Sequence, residues 1–156
     1  MGQEERTFRD LVHRQRDLIW RICSSYRLSA AWTTEDAFHE VLCDLWRGYG
    51  SFNRSSSEST WVYRVATNTM ISLTRKTGNQ PTAPPPDRQD PCYRDDDYRD
   101  LLDLIAAVPE PDHTIVMAHL LGFNYAEIAQ STGLTVAAVS MRLTRALRKL
   151  RKQYNQ

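Results

Sequence analysis

Long uncharged runs are missing from this sequence. The two longest stretches without Asp, Glu, Lys or Arg are His113–Ala126 and Ile128–Met141. Both carry polar residues and both fall short of the roughly 20 apolar residues that a membrane-spanning helix needs. No apolar run follows the N-terminal Met1-Gly2-Gln3-Glu4-Glu5-Arg6, so no signal peptide is visible. Cysteine is scarce as well. Cys23, Cys43 and Cys92 are odd in number and far apart, which excludes a disulfide framework and any paired metal-ligand spacing. His13, His39, His113 and His119 complete no familiar ligand set with them. A Gly-rich phosphate loop and a nucleophile elbow are both lacking. These absences lead us to expect a cytosolic chain with reduced thiols and no membrane insertion, metal, cofactor or catalytic site.

What is present is an ordinary soluble balance, 41% hydrophobic and 25% charged, which excludes a collagenous, mucin-like or wholly disordered chain. A length of 156 residues allows one domain or two very small ones. The net charge of +1 conceals a division. Residues 1–78 hold 11 basic and 9 acidic side chains, residues 79–141 hold 3 and 10, and residues 142–156 hold 6 and none. A basic block at the end of a nearly neutral chain points to a polyanionic partner, although a solvated helix tail has the same composition.

Five of the seven prolines fall at Pro81, Pro84, Pro85, Pro86 and Pro91, beside the acidic run Asp95-Asp96-Asp97. Proline interrupts regular backbone hydrogen bonding and like charges extend a chain, so residues 77–97 read as a linker. It separates residues 1–76 from residues 98–156, and neither part is long enough for a large core. Two small modules acting on a shared partner fit better than an enzyme with a deep cleft.

Helical periodicity governs both halves, and no convincing period-two run is found. The fold class is therefore all-α. Phe8, Leu11, Val12, Ile19, Ile22, Cys23 and Tyr26 mark the first helix. Thr33 and Thr34 can cap a second, which carries Phe38, Val41, Leu42, Leu45 and Trp46 and is ended with help from Gly48 and Gly50. The polar loop Ser51–Glu58 precedes a third, capped by Ser59 or Thr60. In the second half, helices are expected at Tyr98–Ala107, Asp112–Leu121, Tyr125–Ser131 and Val136–Lys152. The last two, joined by a short turn containing Gly133, have the form of a helix-turn-helix. Val136, Val139, Leu143, Leu147 and Leu150 gather on one side of the final helix, while Ala137, Met141, Thr144, Arg145 and Arg148 point away. Small side chains near its start would let the backbone approach a DNA groove, and the arginines beyond could reach phosphates or guanine edges.

Two separated motifs then resemble one family. Thr34-Glu35-Asp36-Ala37-Phe38-His39-Glu40-Val41-Leu42-Cys43-Asp44-Leu45-Trp46 resembles region 2.2 of bacterial sigma factors. Ser59-Thr60-Trp61-Val62-Tyr63-Arg64-Val65-Ala66-Thr67-Asn68-Thr69 is similar to their regions 2.3 and 2.4. Tyr125-Ala126-Glu127-Ile128-Ala129 with Gly133–Leu143 resembles region 4.2. With no third domain between the halves, the resemblance is to the extracytoplasmic-function (ECF) group of the sigma-70 family.

The resemblance implies a role for each segment. Asp36, His39, Glu40 and Asp44 would face the beta-prime clamp helices of core RNA polymerase. Asn53, Arg54, Trp61, Tyr63, Arg64 and Asn68 would meet the opened −10 element, where aromatic faces stack on bases and polar groups read their edges. Thr135, Ala137, Ala138, Ser140, Met141, Arg142, Thr144, Arg145, Arg148 and Lys149 would meet the −35 duplex, and the outer surface of that domain the beta flap. Many relatives carry Lys or Arg at the position of Ser140, so the preferred promoter sequence does not transfer. An anti-sigma factor is a further expected partner. The competing reading is a stand-alone helix-turn-helix repressor or activator, which would bind its site without polymerase.

Overall fold

The computed structural model describes residues 2–29, 31–77 and 96–155. Among these, seven helices account for the regular structure: α1 (Gln3–Ser24), α2 (Thr34–Tyr49), α3 (Glu58–Thr77), α4 (Asp96–Ala106), α5 (Asp112–Leu120), α6 (Tyr125–Thr132) and α7 (Val136–Tyr154). The chain is all-α. Residues 78–95 of the expected linker lie outside the described residues, and its two ends belong to helices, Thr77 to α3 and Asp96 and Asp97 to α4.

Local chemistry explains the helix starts. Thr33 and Asp36 form a reciprocal capping box, each main-chain N–H donating to the other's side chain at 3.0 Å. Asn124 and Glu127 repeat the device at α6. Thr135 caps α7, accepting from the Ala138 N–H at 3.1 Å. The cap of α3 is neither Ser59 nor Thr60. Ser57 takes that role, its Oγ accepting from the Thr60 N–H at 3.1 Å, so the helix begins about two or three residues earlier than its apolar pattern implied. Gly133, at φ +77°, ends α6 in the left-handed region and sets the turn into α7. Tyr26, expected on α1, lies just beyond its end, and Gly48 sits inside α2 rather than ending it.

Helices α1, α2 and α3 pack mutually around Leu11, Ile19, Ile22, Val41, Leu45, Val62 and Met70. Burying each of these aliphatic side chains stabilises the fold by roughly 1.5–3 kcal/mol. Helices α4 to α7 pack around Leu102, Ile105, Ile115, Ile128, Val139, Leu143 and Leu150. Val136 departs from its expected place on the apolar side of α7, being 48% exposed, while Ala146 is buried. The first turn of α7 projects beyond the helices it packs on. The two halves also meet directly, through α3 and α6, and their buried side chains form one continuous core.

Candidate nucleic-acid interface

Asp36, His39, Glu40 and Asp44 share one face of α2, as their three- and four-residue spacing requires. Two of the four have structural work. The Asp36 carboxylate is held by the Thr33 N–H and lies below its ordinary pKa, chiefly because of that hydrogen bond. Asp44 is clasped from α3, where the Thr69 hydroxyl donates to Oδ2 at 2.7 Å, and from Arg47 at 3.1 Å. His39 is exposed and Glu40 half-buried.

The loop after α2 and the first turns of α3 enclose a cleft of 380 Å³. Trp61, Arg64, Val65 and Asn68 line it from one face of α3, and Ser51, Phe52, Asn53 and Ser55 line it from the loop. Trp61 stacks on Phe52 with ring centroids 4.6 Å apart. The Asn53 carboxamide oxygen accepts from the Ser55 N–H at 3.0 Å, which shapes the loop. Arg54, between them, is exposed and holds a left-handed φ of +61°, an unusual conformation for a side-chain-bearing residue. At the start of α3 Arg14 grips Glu58 in a bidentate pair, at 3.1 and 2.8 Å, and Gln15 adds a bond at 2.9 Å. The pair holds Glu58 below the ordinary carboxylate range and fixes the start of α3 against α1.

A third surface lies along α7. Ala138, Met141, Arg142, Arg145, Arg148, Lys149 and Lys152 line an open cleft of 600 Å³. Thr135, Ala137, Met141, Arg142, Thr144, Arg145, Arg148 and Lys149 are exposed, while Ala138 and Ser140 are half-covered. The Thr144 hydroxyl donates to the Ser140 carbonyl at 2.9 Å, so it turns back on the helix. One acid enters this basic face. Asp112, at the start of α5, accepts from Arg142 at 3.2 Å.

The chain matches two sigma-70 family models, region 2 over residues 11–80 and region 4 over residues 98–150. The chain belongs to the sigma-70 family, ECF group. Among curated relatives, the ECF RNA polymerase sigma factor SigM of Mycobacterium tuberculosis is 25% identical over 142 residues, covering 88% of this chain and 70% of that protein. SigE of Mycolicibacterium smegmatis is 26% identical over 155 residues, covering 91% of this chain and 59% of that protein. Among solved structures, CnrH in complex with the cytosolic domain of CnrY aligns with a TM-score of 0.73 at 19% identity, covering 97% of this chain and 89% of that one. The sigma factor RpoE in complex with the anti-sigma factor NepR from Bartonella quintana aligns at 0.75 and 17%, covering 96% and 97%. At such identities the structural likeness concerns the fold.

In this sigma factor, region 4 rests on region 2. Tyr63 does not face the Trp61 cleft, contrary to expectation. It is fully buried, donating its hydroxyl to the Thr114 carbonyl at 2.6 Å and packing on Phe123. Two positions along α3 from Trp61, it points to the opposite side of the helix, and region 4 covers it there. Gln130 of α6 meanwhile lines the Trp61 cleft and donates to the Ser55 carbonyl at 3.5 Å. Sequence reasoning missed Phe52, Asp112, Gln130 and Lys152. Phe52, a lone aromatic in a polar loop, carried a visible signal; Gln130 carried none. Among the described residues no helix is long and apolar enough to cross a membrane, and no group of three or more His, Cys, Asp and Glu could hold a metal.

Proposed function

We propose that this sigma factor binds core RNA polymerase and directs it to promoters, with region 2 opening and reading the −10 element and region 4 reading the −35 duplex. The observation that carries this reading is the ordered pair of region 2 and region 4 matches on one chain. Region 4 alone would not distinguish an initiation factor from a stand-alone helix-turn-helix regulator.

His39 and Glu40, backed by Asp36 and Asp44, are the surface offered to the beta-prime clamp helices. The Trp61 cleft suits a base taken out of the stack. The part-exposed rings of Trp61 and Phe52 can pack on it, Asn53 and Asn68 can read its edge, and Arg54 and Arg64 lie toward the backbone. Tyr63 supports α3 from behind. On α7, Arg142, Arg145, Arg148 and Lys149 supply salt-sensitive attraction to phosphates. Thr135, Ala137, Ala138, Ser140, Met141 and Thr144 meet the base edges. The outer surface of region 4 would meet the beta flap. The likeness to sigma factors solved with CnrY and NepR supports an anti-sigma partner here too.

Run-off transcription with purified core polymerase over a library of random promoter DNA tests this reading. The expected result is polymerase-dependent initiation at sites sharing two spaced motifs. Site-specific DNA binding and regulation by the isolated protein, with no initiation, would overturn it.

A further inference from the structure

We propose that Met141, on the outward face of α7, makes this sigma factor read thymine in the −35 duplex through the 5-methyl group of that base, by apolar contact instead of a hydrogen bond. The proposal deepens the functional reading above and rests on it.

Met141 holds the centre of the outward face of α7. Nine residues at about 100° each place it opposite Leu150, which is buried in the core of region 4. It is 55% exposed. Lone exposed apolar side chains are common on protein surfaces and mean little by themselves. This one lies within the basic cleft, among Arg142, Arg145, Arg148 and Lys149, where a polyanion is the fitting occupant. Ala137 and Ala138, one turn before it, are too small to hold a groove floor at a distance.

The polar groups around Met141 are engaged or turned aside. The Thr135 hydroxyl accepts from the Ala138 N–H at 3.1 Å as the helix cap. The Thr144 hydroxyl donates to the Ser140 carbonyl at 2.9 Å, which commits its proton to the helix. Ser140 is half-covered and stands about 100° to one side of Met141. Arg142 stands about 100° to the other side and is held by Asp112 at 3.2 Å. Arg145 and Arg148 come later on the helix, toward the end that anchors phosphates. In a helix-turn-helix the first turns of the second helix meet the base edges. Here the centre of that surface offers methyl and thioether groups where a hydrogen-bonding code would need donors.

One base answers such a surface. Every base pair shows hydrogen-bonding groups in the major groove, and thymine alone adds a methyl group, at C5. Met is unbranched and polarizable, so its side chain can settle on that methyl without a fixed docking angle. The purine and cytosine edges would instead lose water to an apolar contact that returns no hydrogen bond.

The test uses the full chain. Duplexes with a randomised −35 stretch are selected with the chain bound to core polymerase and, in parallel, with the chain alone. Each thymine of the selected motif is then replaced by deoxyuridine, which removes the methyl and keeps every hydrogen-bonding group. At least one replacement should weaken wild-type binding about fourfold, the worth of one buried methyl. Met141→Ser should bind the thymine and uracil forms equally, and Met141→Leu should keep the contrast. Arg148→Ala should weaken both forms alike and leave their ratio unchanged. Position 141 is exposed, so its replacements leave the core intact. A motif without thymine would overturn the proposal, as would a uracil form bound as well as the thymine form. A contrast that Met141→Ser retains would overturn it too. Initiation by the polymerase complex on the same duplexes is measured separately. A motif returned by the chain alone, with no initiation, would overturn the functional reading, and the methyl contrast is then decided on that motif. A motif returned by neither would overturn both.

Discussion

The Tyr63 hydroxyl donates to the Thr114 carbonyl at 2.6 Å, joining α3 of region 2 to α5 of region 4 at a position where neither residue meets solvent. A tyrosine on the helix proposed to read opened DNA is thereby committed to the protein interior. Burial also pushes its phenol well above the ordinary pKa, so it stays a donor at all working pH values.

Tyr63→Phe keeps the ring on Phe123 and deletes only the hydroxyl. It leaves the Thr114 carbonyl without that donor, and the expected loss of stability is about 1–3 kcal/mol. Denaturant unfolding monitored by circular dichroism measures it. A change within error would mean that water replaces the hydroxyl without penalty.

The contact between the two regions should weaken in mild acid. Burial pushes the His113 imidazole below its ordinary 6.5, and this outweighs the pull of Glu110 and of the Ile105 and Val108 carbonyls in the other direction. Tyr26 and Tyr63 are the other titratable groups nearby, and burial holds both neutral. The packed arrangement therefore binds fewer protons than one in which His113 meets water. Its His113 contribution is complete above the ordinary value and is lost as the pH falls below it. The radius measured by small-angle scattering should grow between pH 7.5 and 5.5 in the wild type, and should change less in His113→Gln. Equal changes in both would remove His113 as the cause.

Acid should also loosen the junction of α1 with the start of α3 through Glu58. Its pairing with Arg14 lowers its pKa from the ordinary 4.5, so the stabilisation is present above that value and fades as the pH falls through the lowered one. Glu58→Gln should destabilise the protein at pH 7 and flatten the stability profile below pH 4.5. Urea midpoints across pH 3 to 7 provide the comparison.

Asp112→Asn should strengthen binding to duplex DNA. It removes the Asp112 carboxylate from the cleft lined by Arg142, Arg145, Arg148 and Lys149 and frees Arg142 for phosphate. One added phosphate contact steepens the salt dependence by about one unit of slope. A titration of random duplex across 50 to 200 mM salt, with an unchanged slope, would show that Arg142 stays away from DNA.

Base reading and phosphate anchoring on α7 should separate by mutation. Arg148→Ala or Lys149→Ala should weaken all promoters alike, whereas Ser140→Arg should change the selected −35 motif. A bidentate arginine–guanine contact is worth about 1–3 kcal/mol of discrimination. Selection of functional −35 sequences by each variant decides this; a motif rewritten by Lys149→Ala but not by Ser140→Arg would reverse the placement of the helix.

The helices were legible in the sequence because their causes are local. Apolar residues at three- and four-residue steps define the buried stripes of α1, α2 and α7, and Thr33 with Asp36 is a capping box that four consecutive residues contain in full. The exposed arginines of α7 follow from the same geometry, since any residue opposite Val139 and Leu143 must face away from the core. The same reasoning failed at Val136, because a stripe has the period of the whole helix while its neighbours cover only part of it.

Sequence by itself therefore determined the helix class, the order of the regions and, Val136 apart, which side chains of α7 meet solvent. The first and last follow from backbone periodicity; the order of the regions follows from the resemblance of separate segments to one family. Only the tertiary structure decided what the polar groups do. Asp44 bonds to Thr69, 25 residues away; Tyr63 to Thr114, 51 away; and Ser25 approaches His113, 88 away. No periodicity encodes such pairs, because a hydroxyl or carboxylate on a helix surface looks the same whether water or another helix will cover it. Which of these occurs is set by how two packed modules meet, and that meeting turned Tyr63 from an expected DNA contact into the bolt between the two regions.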